Sequence, residues 1–177
     1  GSCIKVCRQE AKAIRDSTAA VKDLFWNSPE IIACLAPSFP AAFPQSKPGQ
    51  IITAVRNLGF TEVMEVAFGA DLVAKVHARW AKHNRDKLTI SSPCPALILY
   101  IKKYFPSLVD LLTPIVSPMV AMGRVIKRKA RPGAKVVFIG PCIAKKLEIE
   151  DEAVAGVIDA ALTFQGFQRM LDEAGIV

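Results

Sequence analysis

An uninterrupted apolar run, Ile31-Ile32-Ala33-Cys34-Leu35, lies between two segments of helical periodicity and most constrains the fold. A run without polar alternation suits a strand buried on both faces, and such strands belong to sheets covered by helices on both sides. Lys135 to Ile139 is the clearest strand of the chain, and Glu62 to Ala67, Leu88 to Ser91 and Asp159 to Thr163 read as further strands. Between them, helices are expected over Ala11 to Asn27, Pro48 to Asn57, Asp71 to Arg85, Pro95 to Tyr104, Pro118 to Arg128 and Phe164 to Ala174. A short helix is expected after Pro106. Pro at helix starts and Gly59 at a helix end fit the usual asymmetry of helix termini. Strands alternating with helices predict an α/β fold with a mostly parallel sheet.

In such folds ligands sit beyond the carboxyl ends of strands. Pro37, Ser38, Cys94 and Cys142 all fall at expected strand ends. Two of them lie in Pro-flanked loops, Ser91-Ser92-Pro93-Cys94-Pro95-Ala96 and Gly140-Pro141-Cys142-Ile143-Ala144-Lys145-Lys146. Thiolates at rigid loop positions are the ligand type of iron–sulfur clusters. The alternative is two small buried hydrophobes. Neither spacing is a zinc pattern. Both histidines, His77 and His83, lie on one helix, and neither is placed to activate a cysteine nucleophile.

The five cysteines, Cys3, Cys7, Cys34, Cys94 and Cys142, come without a secretion signal. An odd count in that setting favours metal ligation or buried thiols over disulfides, and a cytoplasmic location. Cys34, inside the apolar run, is a core residue on either reading. At 51% hydrophobic residues and mean hydropathy +0.30, the chain is apolar for a soluble domain. No apolar run reaches the ~18 residues of a membrane span. Net charge is +7, with the densest basic stretch from Arg124 to Lys135. It closes an expected helix, where the macrodipole favours cations. It has no interleaved aromatics, so a nucleic-acid partner is not expected.

Residue by residue, the chain resembles the catalytic domain of iron-only ([FeFe]) hydrogenases, which is the C-terminal domain of their large subunit. Pro141-Cys142-Ile143-Ala144-Lys145-Lys146-Leu147-Glu148 is similar to that family's Pro-Cys-Thr-Ala-Lys-Lys-Phe-Glu. Ser91-Ser92-Pro93-Cys94-Pro95 stands where the family has Thr-Ser-Cys-Cys-Pro. Ala36-Pro37-Ser38, Phe68-Gly69-Ala70-Asp71-Leu72, Ser117-Pro118 and Asp159-Ala160-Ala161-Leu162-Thr163 resemble further family segments. The resemblance implies a [4Fe–4S] cluster bridged to a di-iron unit carrying CO and cyanide. Cys94 and Cys142 would be two of the four cluster ligands. Lys145 would donate to a cyanide, and Pro37, Ser38 and Ser117 would line the di-iron pocket. The implied activity is H2 oxidation, proton reduction or H2 sensing, with a ferredoxin-like electron carrier as partner.

Cys3-x3-Cys7 resembles the tail of an upstream ferredoxin-type cluster motif. Residues 1–28 are therefore expected to be such a remnant plus a linker helix, and 29–177 the N-terminal portion of the catalytic domain. The family's remaining cluster cysteines lie in a later motif. The expectation is a truncated domain, inactive and largely metal-free by itself, that self-associates as a homodimer through its uncovered apolar surface. Two departures point to a sensory or regulatory variant. Pro93 replaces the family's proton-delivering cysteine, and Val76 and His77 stand where paired relay glutamates are expected. The alternative is a hydrogenase-like iron–sulfur binding or assembly protein without di-iron catalysis.

Overall fold

The computed structural model describes Ile4 and residues 6–176, without the side chains of Lys129 and Ala130. Four strands, β1 (Ile31–Leu35), β2 (Glu62–Glu65), β3 (Lys135–Gly140) and β4 (Ala160–Thr163), form one parallel sheet in the order β2-β1-β3-β4. The expected α/β architecture is what the chain adopts. β1 is buried along its whole length, and β3 from its second residue onward. That is why both read as unbroken apolar runs.

The chain leaves β1 for β2 on one side, then returns to place β3 on the other. The ends of β1 and β3 therefore flank the point where the winding direction reverses, the usual ligand position in such sheets. Leu35 pairs with Ile139 there, and the Ala36 amide donates to the Ile139 carbonyl at 2.9 Å. Gly140 makes this closeness possible: a Cβ on it would lie 2.4 Å from Phe138 Cζ and 3.0 Å from Ala36 Cβ.

The helices are α1 (Thr18–Asn27), α2 (Phe39–Ala42), α3 (Pro48–Asn57), α4 (Val66–His83), α5 (Pro95–Tyr104), α6 (Pro118–Val125), α7 (Lys145–Glu148) and α8 (Phe164–Glu173). A 3-10 turn spans Pro106–Leu111, and a π-helical turn, Ile126–Ala130, continues α6. α1 and α8 pack together against β4, while α6 packs against β1 and is crossed by α4. Phe43, just after α2, meets Phe164 and Phe167 of α8 edge to face, at 5.6 and 5.8 Å. This ties the loop after β1 to the helix after β4. No helix among the described residues is long and apolar enough to cross a membrane.

Four expected elements differ. The first helix starts at Thr18, not Ala11. Asp16 Oδ1 takes the Thr18 amide at 3.0 Å and Lys146 takes the Arg15 carbonyl, so groups a longer helix would use are already engaged. The second strand stops at Glu65, and Val66 opens an 18-residue helix that absorbs the Phe68–Leu72 segment. The basic end of α6 is π-helical rather than α-helical. Leu88 to Ser91 is not a sheet strand: only Ile90 bridges, to Leu112, outside the sheet. Leu88 is 77% exposed, so this segment has no buried face to anchor it in a sheet.

Candidate metal centre

The Cys142 loop follows β3 directly, as its position past a strand end requires. Pro141 and Cys142 emerge beside the Ala36-Pro37-Ser38 turn that follows β1. The chain then turns at once into α7, with the Lys145 amide donating to the Cys142 carbonyl at 3.3 Å. The cysteine is half-buried.

The Cys94 loop is positioned differently from the sequence expectation. Cys94 is not at the end of a sheet strand. It is the extended residue preceding α5, with Pro95 at the first helical position, and it is exposed. Its anchor is Ser92, 6% exposed, whose hydroxyl lies 2.5 Å from the Thr113 carbonyl and 2.9 Å from both the Ile115 carbonyl and Thr113 Oγ1. The loop is thus held by the 113–117 segment, outside the sheet.

Lys145 joins the two loops. Its ammonium donates to the Pro93 carbonyl at 3.4 Å and pairs with Glu148 Oε2 at 2.6 Å. Both side chains are nearly enclosed, 12% and 13% exposed. Ser117, 1% exposed, caps α6 by accepting the Val120 amide. It shares a cleft of about 380 Å³ with Ser92, Thr113, Leu147 and Glu148. Ser117 and Glu148 thus line the same cleft. Pro37 and Ser38 are exposed at the strand switch, where Ser38 precedes α2 without a side-chain cap.

Lys146 has a separate environment. It is 8% exposed and donates to the Arg15 carbonyl at 2.5 Å and Ser17 Oγ at 2.8 Å. Burial holds its pKa below the ordinary lysine value, with Asp16 pulling the other way. Cys7 is half-buried and Cys3 lies outside the described residues. Cys34 is a core thiol, pushed up to about 12 by burial, which makes it inert as a ligand or nucleophile. Val76 is 47% exposed, and His77 Nε2 has no hydrogen-bond partner among the described residues.

Glu148, Ser92 and the burial of Lys146 carry site roles that the sequence motifs do not assign. The Lys145–Glu148 spacing of three on a helix is the available signal for the first. Nothing local marks Ser92, whose partners are about 20 residues away in sequence.

The donor set fits part of an iron–sulfur site. Two thiols stand on loops joined by one lysine, and the Cys142 loop leaves the strand switch. Among the described residues no group of three or more Cys, His, Asp or Glu side chains is arranged to hold a metal ion. Further ligands would have to come from elsewhere.

Residues 29–177 match the family described as "Iron only hydrogenase large subunit, C-terminal domain". Among curated relatives, iron hydrogenase 1 of Clostridium pasteurianum is 28% identical over 176 residues, covering 85% of this chain and 30% of that protein. The cytosolic Fe-S cluster assembly factor NAR1 of Eremothecium gossypii is 34% identical over 119 residues, covering 65% of this chain and 26% of that protein. The chain thus spans about a third or less of the length of these relatives. The apo [FeFe]-hydrogenase HydA1 of Chlamydomonas reinhardtii superposes with a TM-score of 0.77 at 22% identity, over 89% of this chain and 48% of that one, and so shares its fold. With a family match over most of its length and a sheet of the same architecture, this protein belongs to the family formed by the C-terminal domain of iron-only hydrogenase large subunits.

Proposed function

We propose that this chain is the part of a hydrogenase-like protein that supplies two thiolates, Cys94 and Cys142, to a [4Fe–4S] cluster, and Lys145 to an adjoining di-iron unit. When bound, the cluster supplies one-electron redox chemistry. The observation that carries the reading is the position of Lys145. A lysine ammonium is ordinarily solvated, whereas this one, on the short helix α7 that follows Cys142, reaches the Pro93 carbonyl of the Cys94 loop and is held there by Glu148. It presents a hydrogen-bond donor held against the residue that precedes Cys94, three residues along the chain from Cys142. Pro37, Ser38 and Ser117 would bound the pocket. H2 and protons would be the reactants of the whole protein, with a ferredoxin-like electron carrier as its partner.

Pro93 has no transferable proton, and Val76 has none either. With His77 at the second relay position, a chain that lacks the cysteine and both carboxylates suits H2 sensing or slow turnover better than fast turnover, since a positioned acid contributes roughly 10²–10⁴-fold.

The assembly-protein reading is favoured by one observation, the 34% identity to a protein named as a cytosolic Fe-S cluster assembly factor. Spectroscopy of the full-length protein separates the two. The hydrogenase reading expects electron paramagnetic resonance of a cluster that is lost in Cys94→Ala and Cys142→Ala. After maturation it also expects infrared bands of CO and cyanide that weaken or shift in Lys145→Ala. A cluster signal with no such bands decides for the assembly reading. A cluster indifferent to both cysteine substitutions sinks both.

A further inference from the structure

We infer that Lys146 is a positioning residue that fastens residues 13–17 as a strap across the Cys142 loop, so that the strap governs access to the Cys142 thiol. Three observations converge on it. Lys146 is buried yet charged by type, and its ammonium is spent on the Arg15 carbonyl and Ser17 Oγ rather than on solvent or a site ligand. The strap has no regular secondary structure, because the helix begins only at Thr18. Ala13, Ile14 and Arg15 of the strap wall one cleft of about 930 Å³ together with Pro141, Cys142 and Lys146.

The energetics single out Lys146 among the strap's contacts. The flanking ion pairs, Arg15 with Glu150 and Asp16 with Arg169, are between side chains roughly half or more exposed. Such pairs contribute little. A buried charge-assisted hydrogen bond contributes more, and a buried ammonium without acceptors is costly, so strap and lysine hold each other in place. Lys145 and Lys146 thus divide the work. The first faces the Cys94 loop and the second secures the segment that follows Cys7. The inference rests on Cys142 being a ligand only for its functional meaning, since the strap geometry is independent of any cluster.

The test is residue-resolved alkylation of the metal-free protein with iodoacetamide, followed by mass spectrometry, alongside hydrogen exchange over residues 13–17. Lys146→Met keeps the alkyl stem and removes the ammonium. The expected result is a roughly tenfold faster reaction at Cys142, faster exchange over 13–17 and an unchanged rate at exposed Cys94. Ser17→Ala removes one acceptor from outside the motif and should move Cys142 in the same direction by less. Newly reactive Cys34 in Lys146→Met would report global unfolding, and Ser17→Ala then decides by itself. Unchanged Cys142 reactivity despite a released strap, or an unreleased strap in a folded Lys146→Met, overturns the inference. Neither outcome bears on whether Cys142 ligates iron, which the spectroscopy of the full-length protein reads separately.

Discussion

Lys145 and Pro93 meet across the two cysteine loops, the lysine ammonium donating to the proline carbonyl at 3.4 Å. That bond is long, and the 2.6 Å pair with Glu148 sets the lysine's orientation. Because both charged ends are nearly enclosed, removing either strands the other. Glu148→Gln is expected to cost about 2 kcal/mol in urea unfolding, and Lys145→Met a similar amount. The double variant should cost less than the sum, by about 1 kcal/mol or more. Strict additivity would mean that the pair is a surface contact and that Lys145 is free to leave the site.

Gly69 lies where α4 crosses α6. A Cβ there would sit 2.3 Å from the Pro118 carbonyl oxygen and 3.2 Å from the Met122 amide nitrogen. Both are backbone atoms and cannot swing aside. Helix propensity alone predicts that Gly69→Ala stabilises by up to about 1 kcal/mol. The clash predicts the opposite, at about 1–3 kcal/mol, because the two helices must part. The sign of the change in a denaturation curve decides, and a stabilised variant would place the crossing elsewhere.

The legible parts of this chain are those whose environment is uniform along the element. β1 and β3 are buried nearly throughout, so their composition announces them, and the loops that follow them inherit their place at the strand switch. Helices opened by proline, such as α3, α5 and α6, are equally readable. What stays hidden depends on partners distant in sequence. Residues 11–17 carry a helical pattern, yet Lys146, some 130 residues on, binds their backbone. Leu88 to Ser91 has strand composition but no sheet edge to join. The site follows the same division: the Cys142 loop takes its place from the strand before it, whereas the Cys94 loop takes its place from a segment some 20 residues later.

Asp159 anchors the start of β4 to β3. Its carboxylate meets Lys127 at 2.7 Å, the Val136 amide at 2.8 Å and Lys135 at 3.1 Å. Burial pushes its pKa up, but the three donors together outweigh burial and leave it below the ordinary 3.8. A depressed carboxylate contributes stability that is fully present above its unfolded pKa. That stability is lost as pH falls through the folded value. Asp159→Asn should therefore be less stable than the parent at neutral pH, with the gap closing below about pH 4. Thermal unfolding at a series of pH values measures this, and a gap that widens on acidification would reverse the assignment.

Ser92 has one proton and three oxygens within reach, so it donates to one of the Thr113 and Ile115 carbonyls and accepts from Thr113 Oγ1. Ser92→Ala deletes the acceptor and leaves buried polar groups unpaired, which costs about 1–3 kcal/mol each. Thr113→Val removes the facing hydroxyl and, made alone, strands the serine in turn. Because the two hydroxyls satisfy each other, the double variant should be less destabilised than the sum of the single ones. The loop effect separates this from a general core defect. With Ser92 gone, amide exchange should rise over residues 90–94 and 113–117, while β1 and β3 stay protected. Uniform loss of protection across the sheet would instead make Ser92 a core residue with no special hold on the Cys94 loop.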